Sequence, residues 1–250
     1  YYYPLVAEHD FLPYVKDIPE DVAKKARYMV VSLPANPVGS IATPGLYEEI
    51  IAFAKKYNVI LLHDNAYSDI IFGGKEGKSF LSYPGAMEVG IEFYSLSKSY
   101  NMTGMRISFA LGNREIINMF KKVRSQIDYG IFLPIQKAAV AALTGPQESV
   151  WEQCAEYERR NYALCRGLTK IGWEVPDGQG TMFVWAPIPK NYQSSEKFVI
   201  DLMEKAGMIV TPGTAFGNLG EGYVRIALVY PVEMIEKAIK AVADSGILKD

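Results

Sequence analysis

Apolar residues along this chain gather in short runs that end in turn formers, and between the runs their spacing shifts to three and four. The clearest runs are 28–33, 59–62, 91–94 and 107–111. Runs of this length bounded by Gly, Pro, Asn or Asp predict buried strands. Residues 1–7 read as a further strand ahead of them. Residues 18–27 predict a short helix, with Pro19 in the first turn and basic residues in the last. Thr43 and Pro44 read as the N-cap and first residue of another helix, and Leu46, Ile50, Phe53 and Ala54 form its apolar stripe. Asn113 is placed to cap a helix running to about Ser125. Strands alternating with helices predict an α/β domain with a largely parallel sheet.

From Pro134 the pattern changes. An Ala-rich helix runs to about Leu143, Gly145-Pro146 breaks it, and a long helical stretch follows to about Lys170. Then come a strand (182–186), a helix (195–207), a short strand (208–210), a Gly-rich loop, a strand (223–228) and a helix from Pro231. This order predicts a small α+β unit. The expected division is a large domain over residues 1–156 and a smaller C-terminal α+β domain over 157–250. The chain opens Tyr-Tyr-Tyr-Pro-Leu-Val with no initiator Met. A start inside an apparent strand leads to the expectation that the N-terminal part of the large domain is absent.

Composition narrows the class. With 49% apolar and 22% charged residues the chain reads as an ordinary soluble globular protein. A net charge of −2 gives no reason to expect nucleic acid or a membrane surface as partner. No apolar run approaches the roughly 20 residues that span a bilayer. Cys154 and Cys165 fall on one predicted helix at a separation of roughly 16 Å, too far to pair with each other. Reduced thiols fit a cytoplasmic location. With two histidines and two separated cysteines, no metal site is expected.

The candidate chemistry lies at strand ends. Asn36, Asp64 and Lys98 each follow a different predicted strand, where open α/β sheets bind ligands. In Ser95-Leu-Ser97-Lys98-Ser-Tyr-Asn-Met-Thr-Gly104-Met-Arg106, hydroxyls, an amine and a guanidinium share one turn. Arg donates bidentate hydrogen bonds to phosphate, and a lysine of lowered pKa forms Schiff bases with carbonyls. Taken alone, each residue has a plainer explanation: Lys98 and Arg106 as surface cations, Asp64 as a turn cap, Tyr67 as a core or rim ring, Asn36-Pro37-Val-Gly39 as a turn. An acid at the end of an apolar strand is costly unless paired, so a buried Asp64 with a cationic partner is expected. Arg225, between Val224 and Ile226, reads by alternation as facing solvent. The Gly-rich loop before it lacks the Gly-Lys-Ser/Thr of a phosphate loop.

Together these stretches resemble the class I/II aminotransferases, the fold-type I pyridoxal 5'-phosphate (PLP) enzymes. The Asn101-Met-Thr-Gly104 run fits the branch that includes LL-diaminopimelate aminotransferase. The matches span about residues 36–228 and include Gly180-Thr-Met-Phe-Val-Trp185-Ala-Pro187 and Thr211-Pro-Gly-Thr-Ala-Phe-Gly217. Their order and spacing are more specific than any one of them. The resemblance implies that Lys98 carries PLP as a Schiff base and that Ser95 and Arg106 hold its phosphate, with the Ser97 hydroxyl a further donor to the cofactor on the same turn. It implies that Asp64 faces the pyridine nitrogen, that Tyr67 and Asn36 reach the ring oxygen, and that Arg225, with Asn36, binds the substrate carboxylate. It further implies amino-acid and 2-oxo-acid substrates and a homodimer. Three positions depart from the usual pattern: Val38 for Thr, Asn65 for Glu and Met105 for Trp. A PLP-dependent carbon–sulfur β-lyase and the PLP-sensing domain of a transcription regulator would share the same residues.

Overall fold

β1 (Tyr28–Ser32), β2 (Ile60–Asp64), β3 (Gly90–Ser95) and β4 (Ser108–Gly112) form one sheet in that order. β1, β2 and β3 are parallel, and β4 closes the row antiparallel to β3. The structure is a computed structural model that describes residues 1–249. Strand alternation sends Met29, Val31, Leu61 and Ile91 into the core. β1 differs from the expected fully buried strand: Tyr28 and Val30 are 65% and 59% exposed, because β1 lies at the sheet edge with its outer face uncovered.

The helices of this first unit are α1 (Glu20–Lys25), α2 (Leu46–Tyr57), α3 (Ala86–Val89), α4 (Leu96–Ser99), α5 (Arg114–Arg124) and α6 (Leu133–Thr144). Asn113 caps α5 as expected, its Oδ1 accepting from the Glu115 and Ile116 amides. α2 begins two residues later than expected, with Gly45 in the left-handed region as N-cap in place of Thr43. The buried stripe of α2 is Tyr47, Ile50, Ile51 and Ala54, so Leu46 and Phe53 sit at its margins. Residues 1–7 do not form the expected strand. They run without ladder pairing into a 3-10 turn at Ala7–His9.

α7 (Glu148–Lys170) is the long helix, and the two units divide within it, between Cys154 and Ala155. Ala35–Ser40 and Phe72–Gly74 group with the second unit. Its sheet is β5 (Phe183–Pro187), β6 (Thr211–Pro212) and β7 (Tyr223–Ala227), in the order β5-β7-β6 and antiparallel throughout. β6 replaces the strand expected at 208–210; Ile209 there is 79% exposed and only Thr211 and Pro212 pair with β7. α8 (Ser195–Ala206) packs on this sheet and α9 (Val232–Ser245) packs against α8. Trp173 and Phe198 meet edge to face at 5.0 Å in the core, and the Trp173 indole N–H donates to the Pro187 carbonyl at 2.7 Å. The loop before β7 folds tightly on itself at Gly213 and Gly220, where a Cβ on Gly213 would stand 1.8 Å from the Gly220 oxygen.

Candidate active site

Ser95 ends β3 and caps α4, its Oγ accepting from the Ser97 amide at 3.2 Å. Leu96 is fully buried and packs with Ile107 and Ala139, so the apolar residue of the turn is driven inward. Two polar contacts hold the backbone that follows. Thr103 Oγ1 donates to the Ser97 carbonyl at 2.8 Å, and Gln153 Nε2 donates to the Lys98 carbonyl at 2.5 Å. Lys98 is half-buried, with Nζ 5.9 Å from the centre of the buried Tyr67 ring. Arg106 is exposed and left-handed (φ 52°) where the chain turns back into β4, and its Nη1 donates to the Thr103 carbonyl at 3.1 Å. The β3–β4 connection thus carries Ser95, Ser97, Lys98 and Arg106, and the end of the adjoining β2 carries Asp64 and Tyr67. Asp64 departs from expectation: it is exposed at the last position of β2, so water solvates its charge and burial demands no cationic partner.

Behind this sheet end lies a polar network that sequence reasoning missed. His63 and Glu92 are register partners on β2 and β3, each no more than 4% exposed. His63 Nδ1 lies 3.0 Å from Glu92 Oε2, and His63 Nε2 lies 3.0 Å from Tyr47 Oη. With Nδ1 donating to the carboxylate, both ring nitrogens of His63 are partnered. Ser79 Oγ and the Phe80 amide also donate to Glu92, at 2.9 and 2.8 Å. Burial pushes the Glu92 carboxyl up, but hydrogen bonds from His63, Ser79 and Asn65 outweigh it and hold it below its ordinary value. Burial, with the Glu92 charge nearby, pushes the Tyr47 phenol up. Asn65, where the resembled family often has Glu, is buried and turned toward this carboxylate. A Glu there would set two carboxylates together. The signal in the sequence was Glu92 itself, an acid inside the apolar run 91–94.

The second unit holds Asn36 and Arg225. The loop Ala35–Ser40 closes on itself through Gly39 N to the Ala35 carbonyl (2.7 Å) and Ala35 N to the Ser40 carbonyl (3.0 Å). Gly39 takes φ +73°, and the Asn36–Pro37 bond is cis. Asn36 is exposed, and its Oδ1 accepts from Arg225 Nη1 at 3.0 Å. Arg225 does not simply face solvent. It is half-buried opposite Trp185 of β5, with its guanidinium 4.2 Å from the Phe183 ring centre and 4.7 Å from that of Phe216. Aromatic faces on a guanidinium leave its planar edge to make directional hydrogen bonds. Phe183 and Phe216 lie in motifs noted from sequence, but their contact with Arg225 needs the fold.

Among the described residues, no group of three or more His, Cys, Asp or Glu side chains is placed to hold a metal ion. Among the same residues, no helix is long and apolar enough to cross a membrane.

A half-buried lysine on a capped turn, with hydroxyls and a guanidinium in the same connection and an acid and a tyrosine after the neighbouring strand, gathers groups able to bind an anion and a carbonyl at one end of an α/β sheet. The family described as aminotransferase class I and II matches residues 1–242, and the chain belongs to it. It is 45% identical to an LL-diaminopimelate aminotransferase of Halothermothrix orenii over 98% of this chain and 62% of that protein. Among solved structures it is similar to BacF from Bacillus subtilis, with a TM-score of 0.93 and 36% identity over 98% of this chain and 62% of that one. It is also similar to a probable N-succinyldiaminopimelate aminotransferase from Thermus thermophilus, with a TM-score of 0.89 and 35% identity over 94% of this chain and 63% of that one. The chain therefore spans less than two thirds of the length of these relatives.

Proposed function

We propose that this chain serves a PLP-dependent aminotransferase, moving an amino group between an amino acid and a 2-oxo acid with Lys98 as the catalytic residue. The observation that carries the reading is the Lys98 turn, with its capped backbone, its flanking hydroxyls and Arg106, and the Tyr67 ring 5.9 Å from Nζ. The donor set fits the cofactor: hydroxyls and a guanidinium suit a phosphate, a carboxylate suits a protonated pyridine nitrogen, and an amine suits an aldehyde. Ser95, Ser97 and Arg106 would hold the phosphate, Asp64 the ring nitrogen, and Tyr67 and Asn36 the ring oxygen.

When bound, PLP supplies an aldehyde that accepts the amino group and a ring that withdraws electrons from the substrate carbon. Lys98 Nζ would hold that aldehyde and, as the free amine, would carry the proton from the substrate Cα to the cofactor carbon, the shift that amino-group transfer requires. Asp64 would keep the ring nitrogen protonated. Arg225 binds the substrate α-carboxylate through its planar edge, and Asn36 fixes the orientation of that edge. The aminotransferase names of the relatives support amino-group transfer over the lyase and sensor readings. They also make LL-diaminopimelate the amino donor to try first. The reading includes the homodimer that the family resemblance implies, and Cys154 and Cys165, neither of them in a disulfide, accord with a cytoplasmic setting.

The test is direct. Protein mixed with PLP develops the absorbance band of a lysine-bound cofactor, borohydride reduction fixes the label, and peptide mapping finds it on Lys98. Lys98→Ala loses both band and label. Equal PLP uptake by Lys98→Ala refutes the assignment. Ammonia and pyruvate, in place of a 2-oxo acid and an aminated acceptor, would assign the lyase.

A further inference from the structure

Asp69 belongs to no motif noted from sequence, yet three hydroxyls converge on one of its oxygens. Tyr94 Oη donates to Asp69 Oδ2 at 2.8 Å, Ser68 Oγ donates to the same oxygen at 3.2 Å, and Ser99 Oγ makes a third, short contact with it. Each donor is the immediate chain neighbour of a residue assigned to the cofactor: Ser68 follows Tyr67, Tyr94 precedes Ser95, and Ser99 follows Lys98. Ser99 is 1% exposed and Tyr94 is half-buried, so two of the three donors are fixed by packing before they meet the carboxylate.

We propose that Asp69 is a positioning residue that ties the Tyr67 segment, the end of β3 and the Lys98 turn into one rigid piece. Hydrogen bonds to an ionised acceptor are shorter and stronger than neutral ones. A single oxygen receiving donors from two chain segments fixes their relative position more tightly than separate pairs would. Burial raises the Tyr94 phenol above its ordinary value and the Asp69 charge adds to the rise, so Tyr94 stays a donor across the working pH range. Asp69 itself touches no reacting atom; it acts through the backbone of its three partners.

The proposal rests on the cofactor assignments above, and the experiment separates the two. Hydrogen exchange is measured by mass spectrometry on protein without PLP, and PLP affinity is measured by titration. In Asp69→Ala, exchange at the amides of residues 95–100 should quicken roughly tenfold, the scale of one lost charge-assisted hydrogen bond. Peptides of α8 should be unchanged. PLP affinity should fall by a similar factor. Asp69→Asn, whose amide oxygen still accepts, should fall between wild type and Asp69→Ala. If Asp69→Ala does not fold, Tyr94→Phe and Ser99→Ala remove the arms one at a time and should each quicken exchange in the same peptide. Exchange at 95–100 unchanged in these variants overturns the proposal, whatever PLP does. Wild-type protein that takes up no PLP overturns the cofactor reading, while the exchange result still decides the role of Asp69.

Discussion

Glu92 offers the sharpest test of how the strand ends are held. Its carboxylate is 4% exposed and receives His63 Nδ1, Ser79 Oγ and the Phe80 amide at 2.8 to 3.0 Å. Glu92→Ala leaves those three donors buried without an acceptor, and at about 1–3 kcal/mol for each unsatisfied group the loss is on the order of 3–5 kcal/mol. Glu92→Gln keeps the shape. Its oxygen can still accept from His63 and Phe80 while its amide donates to Ser79, so the loss reduces to charge and one donor, about 1–2 kcal/mol. In a thermal melt at pH 7 these become roughly 10 °C and roughly 4 °C for a chain of this size. Because the folded carboxyl titrates below its ordinary value, its contribution is fully present above about pH 4.3, the unfolded value, and is lost as pH falls through the folded one. The gap between wild type and Glu92→Gln should therefore be widest near neutrality and narrow in acid. A Glu92→Ala melt within about 1 °C of wild type, or a Glu92→Gln gap equally wide at about pH 7 and pH 3.5, would refute the reasoning.

The two thiols should separate by reactivity. Burial pushes the Cys165 thiol up to about 12, so iodoacetamide at mild alkaline pH should label the half-buried Cys154 and reach Cys165 only after unfolding. Equal labelling of both in the native protein would contradict the packing around α7. Gly213→Ala would place its Cβ 1.8 Å from the Gly220 oxygen and 2.7 Å from the Tyr223 oxygen, both backbone atoms. That overpacking should cost roughly 2–3 kcal/mol in the second unit, read as a lowered melting temperature; a neutral substitution would show that the loop before β7 is not held as described.

Much of this was legible in the chain because the signals are local. The runs at 59–62, 91–94 and 107–111 form strands within a residue or two of their reading, since an apolar run bounded by turn formers has few other options, but β4 at the sheet edge is not the buried strand expected there, with Leu111 52% exposed. Asn113 was readable as a cap from its position alone. Tyr1–Ala7 was not readable, because a strand needs a ladder partner and pairing is not a local property. Thr43-Pro44 carried a good helix start, yet Gly45 two residues on took the left-handed N-cap position. Arg225 looked solvent-facing by alternation, and only the neighbouring strand and loop show that Phe183 and Phe216 enclose it.

By itself, the order of residues determined which chemistry is present: an amine between hydroxyls and a guanidinium, and an acid and tyrosine at the end of the preceding strand. These depend on spacing over a few residues, which the covalent chain sets directly. Tertiary structure alone decided which distant groups meet. Asn36 follows β1 in the chain but belongs to the second unit, where it receives a hydrogen bond from Arg225, 189 positions away. Glu92 meets His63 because of strand register, and Asp69 gathers Tyr94 and Ser99 because two connections lie side by side. Such meetings follow from closing long loops and burying apolar faces against one another, and a pattern of adjacent residues does not encode them.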